Sequence, residues 1–110
     1  MPTAQEFFAI DMRVGTVVHA ERFVEARQPS IKLLIDFGHE VGTRRSSAQL
    51  TVHYTPDQLV GRQVVAAVNI GTRRIAGFTS EVLVLGAMPS PADVVLLAAD
   101  RPVANGTRIG

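Results

Sequence analysis

The sequence predicts an all-β fold. Three observations carry that expectation: short runs rich in β-branched residues recur along the 110 residues, turn signals separate them, and no helical pattern lasts beyond a few turns. A chain of 110 residues that is 46% hydrophobic suits one domain, 1–110, with a modest core.

Each element has its own justification. Thr3 and Glu6 make a capping-box pattern ahead of Phe7, Phe8, Ala9 and Ile10, so the chain opens with a short helix. Arg13 to Phe23, RVGTVVHAERF, reads as a first strand, with Gly15 where a bulge or bend commonly sits. In Ile31 to Gly38, IKLLIDFG, the residues Ile31, Leu33, Ile35 and Phe37 alternate with Lys32, Leu34 and Asp36, which gives the second strand one apolar face. A turn over Gly38 to Gly42 leads into the more polar TRRSSAQLTVHY, Thr43 to Tyr54. Thr55, Pro56 and Gln58 then supply N-cap, N1 and N3 of a second helix, which Gly61 stops. QVVAAVN, Gln63 to Asn69, and SEVLVLGA, Ser80 to Ala87, are nearly all apolar and read as core strands. VVLLAAD follows the breaker-rich MPSPAD, and RPVANGTRIG closes the chain around an Asn105-Gly106 turn signal.

Five or so strands with one helix inserted after the third is the order of an OB-type barrel, whose strand faces and loops bind oligonucleotides; composition also allows another small barrel. No apolar run approaches the roughly 20 residues of a membrane helix, and Met1 to Ile10 lacks a basic n-region and cleavage pattern, so a cytoplasmic chain with no membrane insertion is expected. Without cysteine there is no disulfide, thiolate nucleophile or sulfur-ligated metal.

The net charge of +1 conceals an asymmetry: Val41 to Ser80 holds five basic residues, Arg44, Arg45, Arg62, Arg73 and Arg74, against the single acidic Asp57. That distribution points to an anionic partner. Neighbouring side chains in a strand point to opposite faces, so each adjacent arginine pair exposes at least one guanidinium. Such pairs read either as solvated loop charge or, gathered at one rim of a barrel, as a phosphate-binding patch that supplies affinity rather than base reading. Tyr54 and Phe78 are candidates for base stacking and equally for the core.

Enzyme chemistry finds little support. His19, His39 and His53 are 20 and 14 residues apart, with no HExxH pair. Ser46, Ser47 and Ser80 lack the GxSxG context of a nucleophile elbow, and no glycine-rich phosphate loop is present. No catalytic residue, metal site or cofactor is expected.

DMRVG (Asp11–Gly15), IKLLIDFG, RRSSAQLT (Arg44–Thr51), HYTPDQLVGRQVVAAVN (His53–Asn69) and RRIAGFTSEVLVLGA (Arg73–Ala87) closely resemble the tRNA-binding domain family. That family includes free-standing dimeric proteins and domains appended to methionyl- and phenylalanyl-tRNA synthetases. The nearest likeness is its CsaA type, bacterial proteins described as export-related chaperones. Many members carry Ser-Gly in strand three and Ser-x-Gly-Met after the last loop, where this chain has Ser47-Ala48-Gln49 and Ser80-Glu81-Val82-Leu83; these departures point to the CsaA type. The resemblance implies an OB-type barrel with short added helices and terminal extensions, dimerised through those extensions, with no cofactor. It implies a tRNA surface at Lys32, Arg44, Arg45, Asn69, Arg73, Arg74, Ser80 and Glu81. A chaperone for precursor proteins, working with the export machinery, is the second implied activity, with Phe7, Phe8 and Phe78 as candidates to line a peptide groove. A symmetric homodimer is also expected because the FFAI segment and RPVANGTRIG lie outside a minimal barrel and need a surface to bury against.

Overall fold

A computed structural model describes Met1–Gly110. In chain order it comprises α1 (Ala4–Phe8), β1 (Met12–Arg22), β2 (Ile31–Asp36), α2 (Gly38–Val41), β3 (Thr43–Ala48), α3 (Pro56–Leu59), β4 (Gln63–Ala67), β5 (Arg73–Ile75), β6 (Phe78–Ser80), β7 (Leu83–Val84), β8 (Gly86–Ser90) and β9 (Asp93–Leu96). A five-stranded antiparallel sheet in the order β3-β2-β1-β4-β7 curls into a nearly closed OB-type barrel, with α3 between the third and fourth strands. No helix is long and apolar enough to cross a membrane.

The alternation read in β2 is the inside-outside pattern of the barrel wall. Ile31, Leu33, Ile35 and the following Phe37 are buried with Val17, Leu50, Leu59, Val64, Ala66 and Val82. β4 is apolar from Val64 to Ala67 because both its faces are covered there. Val64 and Ala66 enter the barrel, while Val65 and Ala67 join Met12 and Val14 in a second cluster beneath Leu85 and Ile109. Both capped helices form as the sequence indicates: the Thr3 hydroxyl accepts the Glu6 N–H at 3.1 Å, and the Gln58 side chain accepts the Thr55 N–H at 3.0 Å.

β1 is long enough to serve two neighbours. Met12–Thr16 pair with β4, and Thr16–Arg22 with β2. The edge left open beside Met12 and Val14 is taken by the C-terminal segment: Val14 N–H bonds to Thr107 O, Gly106 N–H to Val14 O and Ile109 N–H to Met12 O. The side chain of Arg13, buried beneath this strap, bonds to Asp11 at 2.7 Å, Gly106 O at 2.9 Å and Glu40 at 3.3 Å. Its hydrogen bond holds the Asp11 carboxyl below the usual carboxylate range.

Three local expectations are corrected. The irregularity of β1 falls between Val17 and His19, whereas Gly15 pairs regularly with Val64. Glycine is needed there because a Cβ would lie 2.6 Å from Cδ1 of Phe37 and 2.7 Å from Cγ2 of Ile35. The segment Gly38–Val41 is a one-turn helix rather than a simple turn. SEVLVLGA is not one core strand: it supplies the end of β6, all of β7 and the start of β8, with Ser80 and Val82 buried and Leu83 51% exposed. The chain leaves the barrel wall at this point to enter the β8–β9 hairpin, so its apolar run divides between core and surface.

Candidate nucleic-acid interface

The outer surface of β1–β3 is the first part of the site. In the sheet register Glu21 lies opposite Lys32 and Lys32 opposite Ser47, while His19 lies opposite Leu34 and Leu34 opposite Arg45. Phe78, at the start of β6, packs edge-on against the buried Phe23 at 5.5 Å between centroids. The Lys32 ammonium stands 4.7 Å from the Phe23 ring centre and 5.4 Å from that of Phe78, and the Arg45 guanidinium 5.8 Å from the latter. The two rings therefore hold two cations over a half-exposed aromatic surface, each pairing contributing ~0.5–1 kcal/mol at an exposed site.

β3 meets β6 and the residues after it through a seam built mostly from side chains. Glu81 N–H donates to Arg45 O at 2.8 Å, and the Glu81 carboxylate accepts from both Arg45 N–H at 3.0 Å and Arg45 Nε at 3.3 Å. The Ser80 hydroxyl accepts Ser47 N–H at 3.1 Å, and the Ser46 hydroxyl donates to Val82 O at 3.1 Å. These bonds replace ladder hydrogen bonds where the strands diverge. Donation by the Arg45 backbone N–H, aided by its guanidinium, holds the Glu81 carboxyl below its usual range despite partial burial. Ser80 and Glu81 are thus committed to closing the barrel, and part of the Arg45 charge is balanced by Glu81.

The second part is a cleft of about 490 Å³ between the β1–β2 loop and the β5–β6 hairpin. In the hairpin Arg73 pairs with Ser80, Arg74 with Thr79 and Ile75 with Phe78, and the two-residue turn is Ala76-Gly77. Both turn residues have positive φ, 45° and 82°. That is the type I′ arrangement whose twist matches a hairpin, and alanine is an unfavourable first residue for it. Strand alternation separates the arginine pair. Arg73 and Ile75 line the cleft, whereas Arg74 faces away and donates to the Thr79 hydroxyl at 3.1 Å. From the opposite loop come Glu25 and Arg27, with Ser47 and Gln49 between.

The remaining candidates lie elsewhere. Arg44 turns away from Arg45, and its Nε donates to Val41 O at the end of α2. The Asn69 amide ties the N-terminal segment to the end of β4, accepting Asp11 N–H at 2.8 Å and donating to Ala9 O at 2.9 Å. The Tyr54 hydroxyl accepts Leu96 N–H at 3.1 Å, anchoring β9. Phe7 and Phe8, 47% and 50% exposed, pack against each other on α1, a helix with no buried residue; Phe78 belongs to the Lys32–Arg45 surface instead. Residues that the sequence reading did not assign to an RNA surface are Arg27, Gln49 and His19. Arg27 had a signal, a cation in the loop joining the first two strands, which in OB-type barrels faces the binding surface.

A family profile described as "Putative tRNA binding domain" matches residues 12–108. The chain belongs to the tRNA-binding domain family. Its structure is similar throughout to chaperone CsaA from Bacillus anthracis str. Ames, with a TM-score of 0.95 and 53% identity, covering 100% of this chain and 99% of that one. The CsaA chaperone protein from Picrophilus torridus is similar at a TM-score of 0.91 and 41% identity, covering 100% of each chain. Among full-length relatives, the methionine–tRNA ligase of Methanopyrus kandleri is 39% identical over 105 residues, which is 96% of this chain and 15% of the ligase. The chain therefore spans about 15% of the length of the ligases it matches. Every residue of the Lys32–Arg45–Phe78 surface and of the Arg27–Arg73 cleft falls inside the segment that the family profile matches.

Proposed function

We propose that the chain is a non-catalytic binding module that holds tRNA on the outer surface of β1–β3 and in the adjoining cleft, acting in the cytoplasm. The observation that carries this reading is the placement of Lys32 and Arg45 over one half-exposed aromatic, Phe78, on a surface that adjoins a cleft lined by Arg27 and Arg73. Cations beside a stacking ring suit single-stranded or splayed RNA, because phosphates bind the charges and any base can stack on the ring. Arg73 and Arg27 have no ion-pair partner within the chain, so their charge is available to phosphate. Lys32, Arg45 and Phe78 form the platform; Arg74 reaches RNA from the outer side of the hairpin; Ser80 and Glu81 set the platform's geometry from the seam. Asn69 and Arg44 act by holding the chain around the site.

A second reading, a chaperone for extended apolar segments of precursor proteins before export, is favoured by the likeness to the two CsaA chaperones. A groove beside Arg73 lined by Leu50, Leu83, Val84, Met88, Pro91 and Val94 is its candidate seat. Homodimerisation belongs to both readings: α1 and the residues just after it leave Phe7, Phe8 and Ile10 exposed, and a two-fold partner copy would cover them. Binding of bulk tRNA and of an unfolded precursor, compared at low and high salt, tests the assignment. RNA binding that falls steeply with salt supports it; salt-insensitive binding of the precursor alone favours the second reading. A dimeric mass by light scattering is expected, and a monomeric mass at micromolar concentration contradicts the dimer.

A further inference from the structure

We propose that the cleft between the β1–β2 loop and the β5–β6 hairpin takes one unstacked nucleotide, its phosphate between Arg27 and Arg73 and its base read by the Gln49 amide, with adenine preferred over the pyrimidines. This rests on the tRNA-binding reading and goes further by assigning base selectivity to one residue.

Convergence of unlike groups carries the inference. A volume of about 490 Å³ falls within the ~300–1,000 Å³ range of small-ligand pockets. Two cations face the cleft from separate segments, Arg27 from the β1–β2 loop and Arg73 from β5. Guanidinium groups suit a phosphate because their planar fork can donate two parallel bonds. Ile75 supplies an apolar wall against which a base plane can lie. Ser47, whose backbone N–H is held in the barrel seam, lines the cleft beside Gln49.

A glutamine amide presents one donor and one acceptor side by side and pairs with an edge that offers the complement. Adenine offers such a pair on both of its edges, pyrimidines on one only, and glutamine to adenine is the usual bidentate match. Glu25 at the same cleft repels a second phosphate, so the site suits one nucleotide rather than a continuous run. The exposed position of Gln49 means that the Gln49→Leu variant removes the amide without disturbing the core.

The test measures binding of RNA tetramers of adenosine, cytidine and uridine to the wild type, Gln49→Leu and Arg27→Ala, with bulk tRNA titrated in parallel over a salt series. The expected wild-type preference for the adenosine tetramer is about five- to tenfold. Gln49→Leu should abolish that preference while keeping the salt slope for tRNA. Arg27→Ala should weaken all three tetramers alike. A wild type that binds tRNA but ranks the tetramers equally, or a Gln49→Leu variant that still prefers adenosine, overturns the inference and leaves the tRNA reading standing. Failure to bind tRNA at all overturns both.

Discussion

Replacing Glu81 by glutamine should weaken the barrel while freeing a cation for RNA. The carboxylate accepts two bonds from Arg45, at 3.0 Å from the backbone N–H and 3.3 Å from Nε. Glutamine keeps an acceptor for the backbone donor but loses the ionic component. Hydrogen bonds to charged groups contribute ~1.5–3 kcal/mol against ~0.5–1.5 for neutral ones. Because the Glu81 side chain is 27% exposed and that of Arg45 50%, solvent screening reduces the difference. The expected loss is about 1 kcal/mol, or roughly 4–5 °C in Tm for a domain of this size. The sign of its pH dependence follows from the lowered carboxyl pKa. The charged seam stabilises the fold fully above the unfolded value, near 4.5, and loses that contribution as pH falls through the lower folded value. Thermal unfolding followed by far-ultraviolet circular dichroism should show the variant melting lower at pH 7, with the gap to wild type narrowing below pH 4.5. Affinity for tRNA should rise, since Arg45 no longer has an anionic neighbour. Equal melting temperatures at pH 7, or a gap that stays constant into acid, would refute the reasoning.

Other perturbations test separate parts of the structure. Ala76→Asn should stabilise the chain by about 0.5–1 kcal/mol in denaturant melts, because asparagine tolerates the positive φ of 45° in the type I′ turn better than alanine. Gly15→Ala should cost about 1–3 kcal/mol by driving a Cβ against Phe37 and Ile35, visible as a lower unfolding midpoint with an unchanged m-value. In Asn69→Ala the loss of two bonds to the N-terminal segment should speed hydrogen exchange at Asp11 while leaving protection in β2 intact.

Most of the barrel was legible because its wall obeys local rules. The period of two in IKLLIDFG maps directly onto buried Ile31, Leu33 and Ile35, and both capped helices start where their Thr residues stand. The apolar run SEVLVLGA was misleading because hydrophobicity alone does not show where a strand leaves the wall. The site was legible as charge and not as geometry. Alternation separates Arg73 from Arg74, but a cleft facing Arg73 exists only once the β1–β2 loop folds across from it. The seam roles of Ser80 and Glu81 arise from bonds to residues 33 and 36 positions away along the chain, for which no local pattern exists. Resemblance assigned those positions to RNA; their side chains are engaged with the backbone of β3. Asn69 likewise reads as a polar strand end until its bonds to Ala9 and Asp11 are seen.

The central claim is that the Lys32–Arg45 surface and the Arg27–Arg73 cleft hold RNA phosphates. The most direct measurement is the dependence of tRNA affinity on salt for the wild type and for Arg27→Ala/Arg73→Ala, each checked for cooperative melting and unchanged oligomeric state. Removing one phosphate-binding cation should make the log-log slope shallower by roughly 0.7–0.9, so the double variant should bind more weakly with a slope shallower by about 1.4–1.8. An unchanged affinity and slope in the folded double variant would place the RNA elsewhere on the molecule.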